Sequence, residues 1–263
     1  MDSTAVRQVP ISPAWQQPAW VIAVAAAKGG VGKTTLAVEL AGALGAVLVD
    51  LDVDRGGATG AWDVPVADAR LLHGLLGGRC PRPLRRPGRP DLVPSSPALA
   101  DLVADPAEIA ARLREWAQRW ERPVVLDTHP GAVPTTDAAW AAADCVVLPT
   151  VPRWPELRAL AGLLDERGDA FTLLLAPNRV RGLTADRPAL IALVNLAQVH
   201  GVAVAPPIGD HPWLPRRRRR TALVLAPHPG RQAAVAAAEF RTLAAVVRRT
   251  LDPAGAPRAV AHG

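Results

Sequence analysis

Two lysines, Lys28 and Lys33, stand in one glycine-rich stretch, KGGVGKTT at 28–35, of a chain whose other basic residues are all arginine. Lysine supplies a compact ammonium where arginine supplies a planar fork, so its confinement to one loop marks a place where a point charge is wanted. Gly29, Gly30 and Gly32 let the backbone curl without a Cβ in the way, so that its N–H groups, Val31's among them, can converge on phosphate oxygens. In such a loop Lys33 reaches the β- and γ-phosphates of ATP, and the Thr34 hydroxyl binds Mg²⁺. Thr35 either caps the following helix or contacts the α-phosphate. Two apolar runs end in acids: one closes on Asp50 and Asp52, the other on Asp127.

The elements that must position these groups alternate strand with helix. Trp20 to Ala26 is a continuous apolar run, as in a strand buried on both faces. It feeds the lysine loop, a helix from Thr34 to Leu44 and a second strand from Ala46 to Val49, which together make one β-loop-α-β unit. Further strands are predicted at 91–93, 123–126, 145–148, 171–175 and 202–204. Helices are predicted at 105–120, 155–166, 187–200 and 231–250, the first with Ile109, Leu113, Trp116 and Trp120 on one face. Cys80 to Pro90, rich in Pro and Arg, reads as a surface loop. This alternation predicts an α/β fold: a doubly wound, mostly parallel sheet flanked by helices in three αβα layers. In such sheets the ligand lies beyond the carboxyl ends of the strands, where the glycine loop, Asp52 and Asp127 all fall.

The loop departs from G-x-x-x-x-G-K-[ST] at Ala27 and fits K-G-G-x-G-K-[ST] instead. That is the deviant Walker A motif, and the chain resembles the ParA/MinD superfamily of P-loop NTPases over about residues 18–251. The resemblance implies that Lys28 reaches across a homodimer with ATP sandwiched between its subunits. It implies that Asp52 orients the attacking water, that Asp50 supports the switch region near Mg²⁺, and that Asp127, in a Walker B-like strand, holds Mg²⁺ through water. His129 stands where partition ATPases commonly have proline; a polar filler is preferred there to a γ-phosphate sensor. Asn178 matches the adenine contact, with Pro177 beside it and Pro207 in a loop near the base.

Within the superfamily, the partition branch is favoured. Arg216, Arg217, Arg218, Arg219 and Arg220 form a run of like charge that suits salt-sensitive, sequence-independent DNA binding, and Arg181 matches a DNA-contact position. The net charge of +6 agrees with an anionic partner. A ParB-type centromere-binding partner is implied by the resemblance. The tail lacks a bulky apolar face, so no stable membrane association is expected; the alternative is a ParA/MinD-like ATPase that positions a protein complex or acts at the membrane. Cys80 and Cys145 match no metal or redox spacing, and residues 1–17 have no apolar h-region, which leads to an expectation of a cytoplasmic, nucleoid-associated protein. The expected organisation is a flexible arm at 1–18, the ATPase domain at 19–251 and a flexible tail at 252–263.

Overall fold

The computed structural model describes residues 18–26, 28–54, 57–62, 64–65, 68–131, 133–182, 184–216, 221–226 and 230–252. The expected arm up to residue 17, the tail from 253 and Arg217 to Arg220 lie outside the described residues, as does the side chain of Arg216.

The strands are β1 (Val21–Val24), β2 (Val47–Asp50), β3 (Asp91–Val93), β4 (Val124–Asp127), β5 (Cys145–Thr150), β6 (Leu173–Pro177) and β7 (Ala203–Val204). The helices are α1 (Lys33–Leu44), α2 (Ala58–Ala61), α3 (Arg70–Gly77), α4 (Pro106–Trp120), α5 (Pro134–Ala142), α6 (Trp154–Arg167), α7 (Arg187–Val199) and α8 (Arg231–Leu251). The strands form one sheet in the order β3-β2-β4-β1-β5-β6-β7, every neighbour parallel. This is the predicted doubly wound α/β fold.

Period-two geometry sends alternate side chains of each strand to opposite faces, and both faces are apolar. Val21, Ala23, Val124 and Leu126 pack on the side of α4, α5 and α6, whereas Ile22, Val24 and Val125 pack against α1 and α8. Phe240 of α8 is fully buried on the second side, and burial of a side chain of that size contributes about 1.5–3 kcal/mol. From β1 the chain winds outward in one direction through β2 and β3, and in the other through β5, β6 and β7. The switch of direction opens a crevice at the carboxyl ends of β1, β4 and β2.

Local signals set the helix ends. α1 starts from Gly32 and stops at Gly45, both left-handed. α4 starts on Asp105, whose side chain accepts from the Ala107 N–H at 2.9 Å, with Pro106 in its first turn. Of its expected apolar face, Ile109, Leu113 and Trp116 are buried, while Trp120 at the helix end is half-buried. The Cys80–Pro90 segment proves less free than a plain surface loop: Leu84 and Leu92 exchange backbone hydrogen bonds of 2.7 and 2.9 Å, which covers part of the β3 edge.

α2, α3 and α5 were not foreseen. α3 carries Gly74 and Gly77, poor helix formers; a Cβ on Gly74 would lie 2.9 Å from Trp116, so close helix packing requires the glycine. α2 is a single turn, too short for any periodic pattern. Among the described residues, no helix is long and apolar enough to cross a membrane.

Candidate functional site

The loop between β1 and α1 is shaped by two left-handed glycines, Gly30 (φ 79°) and Gly32 (φ 97°). No side chain caps α1, so the helix start presents free N–H groups and positive dipole to an anion. The cap position belongs to Gly32, which removes capping from the two roles open to Thr35. Lys33 is the first residue of α1 and is only 7 % exposed. Burial lowers its pKa, while Asp127 and then Asp52 act in the opposite direction and favour the charged ammonium. Lys28, by contrast, is exposed. Asn178, buried just beyond β6, donates from Nδ2 to the Val31 carbonyl at 2.8 Å. It therefore braces the loop in this structure, where a base contact was expected. The Pro177 carbonyl accepts from the Ile208 N–H at 2.8 Å, so the end of β6 and the exposed Pro207 lie next to each other.

Asp50 and Asp127 lie side by side, paired in register across β2 and β4. Asp127 is fully buried, and neither carboxylate oxygen makes a hydrogen bond of good geometry, although the Thr34 hydroxyl comes close enough to favour its charged form. Burial pushes its pKa well up; Asp50 and Asp52 add to the rise, and the nearby Thr34 hydroxyl and Lys33 oppose it. Buried polar atoms are nearly always satisfied. An orphaned carboxylate beside Lys33 and Thr34 is what a hard divalent cation would complete. The residues present fit both a triphosphate and Mg²⁺.

Asp50, expected near the metal, has both oxygens engaged by the chain. Oδ1 accepts from the Asp52 N–H at 3.1 Å, and Oδ2 accepts from the Thr59 N–H and hydroxyl, each at 2.6 Å. A Cβ on Gly57 would lie 2.8 Å from Oδ2. Asp50 thus fastens the segment that carries α2, and its own burial raises its pKa to about 6.

Asp52 is held on several sides. Its carbonyl accepts from the Ser95 hydroxyl at 2.6 Å, and its Oδ1 accepts from the Asp54 N–H at 3.0 Å. His129, expected as a polar filler, places Nδ1 2.8 Å from the same Oδ1, so the ring is paired with the carboxylate to which the resemblance gives the water. Thr59 and Ser95 were absent from the sequence-based set of site residues, and His129 was weighed only as an alternative γ-phosphate sensor. Ser95 and His129 stand two residues beyond strand ends, whereas Thr59 lies within α2 and carried no such signal.

Of the nucleic-acid candidates, Arg181 and the backbone of Arg216 lie within the described residues. Arg181, 56 % exposed, pairs with buried Asp186 at 2.9 Å and also donates its backbone N–H to that carboxylate at 2.7 Å. The Arg181 hydrogen bonds hold Asp186 below the usual carboxylate range. Of the arginine run, only the Arg216 backbone is described, at the end of a 3₁₀ turn spanning Leu214–Arg216.

Residues 22–206 match the CobQ/CobB/MinD/ParA nucleotide binding domain family. The chromosome-partitioning ATPase Soj of Thermus thermophilus is 39 % identical over 154 residues, which cover 54 % of this chain and 59 % of Soj. The chain thus spans about three fifths of the length of that curated relative. Among solved structures, the MinD cell division protein of Aquifex aeolicus matches 87 % of this chain and 96 % of its own, with 21 % identity and a TM-score of 0.67. An ATP complex of Cyanothece McdA matches 88 % of this chain and 96 % of its own, with 18 % identity and a TM-score of 0.70. At these identities the two structures speak for the fold.

Proposed function

The chain belongs to the CobQ/CobB/MinD/ParA nucleotide-binding domain family, and from that premise we propose that it is a Mg²⁺-dependent, ParA-type ATPase that segregates DNA. The observation that carries the nucleotide chemistry is the buried, unpartnered Asp127 carboxylate beside Lys33 at a glycine-shaped helix start. Lys33, Thr34 and the Gly29–Gly32 backbone bind the phosphates, Thr34 and Asp127 hold the ion, and Asp50 steadies the loop that carries Asp52. Magnesium bound there would supply neutralisation of the phosphate charge. Asp52 orients the water, and positioning with electrostatic stabilisation makes up most of the catalysis. Pro177, Asn178 and Pro207 line the base side; braced to Val31 through one Nδ2–H, Asn178 keeps its second Nδ2–H and its Oδ1 for the base.

Lys28, exposed and outside its own subunit's buried charge cluster, is free to serve a second copy. The dimer is isologous, with ATP between the subunits. Dimerisation gathers Arg216 to Arg220 and Arg181 into a basic surface for non-specific DNA on the nucleoid. A ParB-type protein stimulates hydrolysis and release. The 39 % identity to a chromosome-partitioning ATPase supports this branch.

The test is retention of plain duplex DNA in a gel with ATP, ADP or no nucleotide at two salt concentrations. ATP-dependent retention that weakens with salt, and that falls when Arg216–Arg220 are replaced by alanine, is expected. ATP hydrolysis without DNA retention in any state would assign the ATPase cycle to a protein or membrane cargo instead.

A further inference from the structure

The pairing of His129 with Asp52 joins two segments that the nucleotide-binding motifs do not connect. Asp52 stands near the start of the loop after β2, and His129 lies two residues beyond Asp127, the end of β4. The backbone around His129 is fastened on both sides: the Thr128 hydroxyl donates to the Val24 carbonyl at 3.0 Å, and the Thr136 hydroxyl donates to the His129 carbonyl at 3.1 Å. Pro130 follows directly and restricts the backbone further. The imidazole is therefore presented from a rigid base.

An ionised carboxylate only accepts, so Nδ1 carries the proton in this contact. Asp52 Oδ1 then accepts from both the Asp54 N–H and His129 Nδ1, at 3.0 and 2.8 Å. Among the described residues Oδ2 has no protein partner, and neither does His129 Nε2. Asp52 also borders a cavity of about 110 Å³ shared with Thr59, Ser95 and Pro97. That volume has room for water, so a carboxylate held only by the Asp54 N–H has somewhere to turn.

We propose that His129 is a positioning residue for ATP hydrolysis, its Nδ1–H locking the Asp52 carboxylate so that Oδ2 is left to hold the attacking water. This rests on Asp52 being the water-orienting group, as proposed above. The imidazole transfers no proton and forms no bond; it restricts the rotation of Asp52.

The experiment uses the full chain and two readouts. The first needs no nucleotide: long-range ¹H–¹⁵N correlation of the histidine rings, with the His129 signals assigned by their absence in His129→Asn. A Nδ1–H tautomer that changes in Asp52→Ala is expected; a Nε2–H tautomer, or one indifferent to Asp52→Ala, overturns the contact. The second is single-turnover hydrolysis of Mg·ATP with the nucleotide Kd measured in parallel. Misplacing a reactive group by about 1 Å costs on the order of 100-fold, so His129→Ala should slow the chemical step about 10- to 100-fold while Kd changes less than about 3-fold. His129→Asn, whose amide can donate to Asp52, should recover most of the rate, and His129→Leu should not. In the Asp52→Ala background, His129→Ala should add little further loss, because the two residues act as one unit. Wild-type rates in His129→Ala while Asp52→Ala is inactive would overturn the role of His129 alone. Wild-type rates in Asp52→Ala would overturn the assignment of Asp52 on which it depends.

Discussion

Three glycines in one loop differ in what an added methyl group would meet, and this difference sets a ladder of stabilities. Gly29 lacks a positive φ, and the nearest atom to a Cβ there is Pro130 Cγ at 4.0 Å. Gly30 has φ 79° but open space around the position. Gly32 combines φ 97° with Asn178 Nδ2 only 2.6 Å from the would-be Cβ. An L-residue forced into left-handed backbone costs about 1–2 kcal/mol. At Gly32 the methyl must also push away the amide that donates to Val31, and a net hydrogen bond of that kind is worth about 0.5–1.5 kcal/mol. The expected costs are therefore near zero for Gly29→Ala, about 1–2 kcal/mol for Gly30→Ala and about 1.5–3.5 kcal/mol for Gly32→Ala. For a domain of this size about 1 kcal/mol lowers Tm by about 2 °C, which puts Gly30→Ala about 2–4 °C and Gly32→Ala about 3–7 °C below wild type. Thermal scans of the nucleotide-free protein measure this directly. The double variant Gly32→Ala/Asn178→Ala should lose less than the sum of its parts, since removing the amide clears the overlap. Gly32→Ala melting together with Gly29→Ala would refute the loop geometry and the bracing role of Asn178.

Burial raises the Asp50 pKa from 3.8 to about 6, so between those values the native chain holds a proton that the unfolded chain has lost. Stability from this group should fall by up to about 3 kcal/mol as pH rises through that window, and be level on either side; buried Asp127, raised for the same reason, adds to the fall, so urea titrations from pH 4 to 7 should show the slope and Asp50→Asn should reduce it without abolishing it. Glu39, fully buried on α1, accepts from the Leu223 and Val224 N–H groups at 2.9 and 3.1 Å, and Glu39→Ala should cost about 1–3 kcal/mol for each donor left unpaired, read as a lower urea midpoint at unchanged m. A Cβ on Gly42 would sit 2.8 Å from Val224 Cγ2, so Gly42→Ala should cost about 1–3 kcal/mol by overpacking on the same scale. Lys28→Ala should bind ATP nearly as well as wild type yet fail to dimerise or hydrolyse it, measured by light scattering with ATP and by phosphate release; unchanged turnover would remove the cross-subunit role.

What could be foreseen from the sequence was local. A glycine-rich loop between an apolar run and a helix declares a phosphate cradle, because the backbone requirement and the charge fall within eight adjacent residues. Strand-end carboxylates were legible for the same reason, as an acid that closes an apolar run lies at the carboxyl edge of a parallel sheet. The bonds that tune the site were not legible, since they join residues far apart in the chain. Asp52 and His129 are separated by 77 positions, Val31 and Asn178 by 147, and Glu39 and Leu223 by 184. No periodicity carries such information. Strand limits shifted for a related reason: the predicted first strand ran to Ala26, whereas the observed one ends at Val24, although the Ala25 N–H still bonds the Val147 carbonyl at 3.1 Å. The ladder fades where the chain begins to curl around the phosphate site.

The position of α1 bears on how nucleotide and DNA could be linked. Its first residues belong to the phosphate loop, and its body, about 18 Å long at 1.5 Å per residue, carries Glu39 and Gly42 against residues 222–225. That segment follows Arg216–Arg220 in the chain, and it is also held by Arg241 of α8, which donates to the Val224 carbonyl at 2.9 Å. A shift of α1 would therefore be felt first at residues 222–225. Arg181 has no such tie: its guanidinium is committed to Asp186 beside it. One local carboxylate offsets most of its attraction for phosphate at a distance, whatever the nucleotide state. If DNA binding switches with ATP, Arg181 is therefore not the element that switches it and adds at most a constant background.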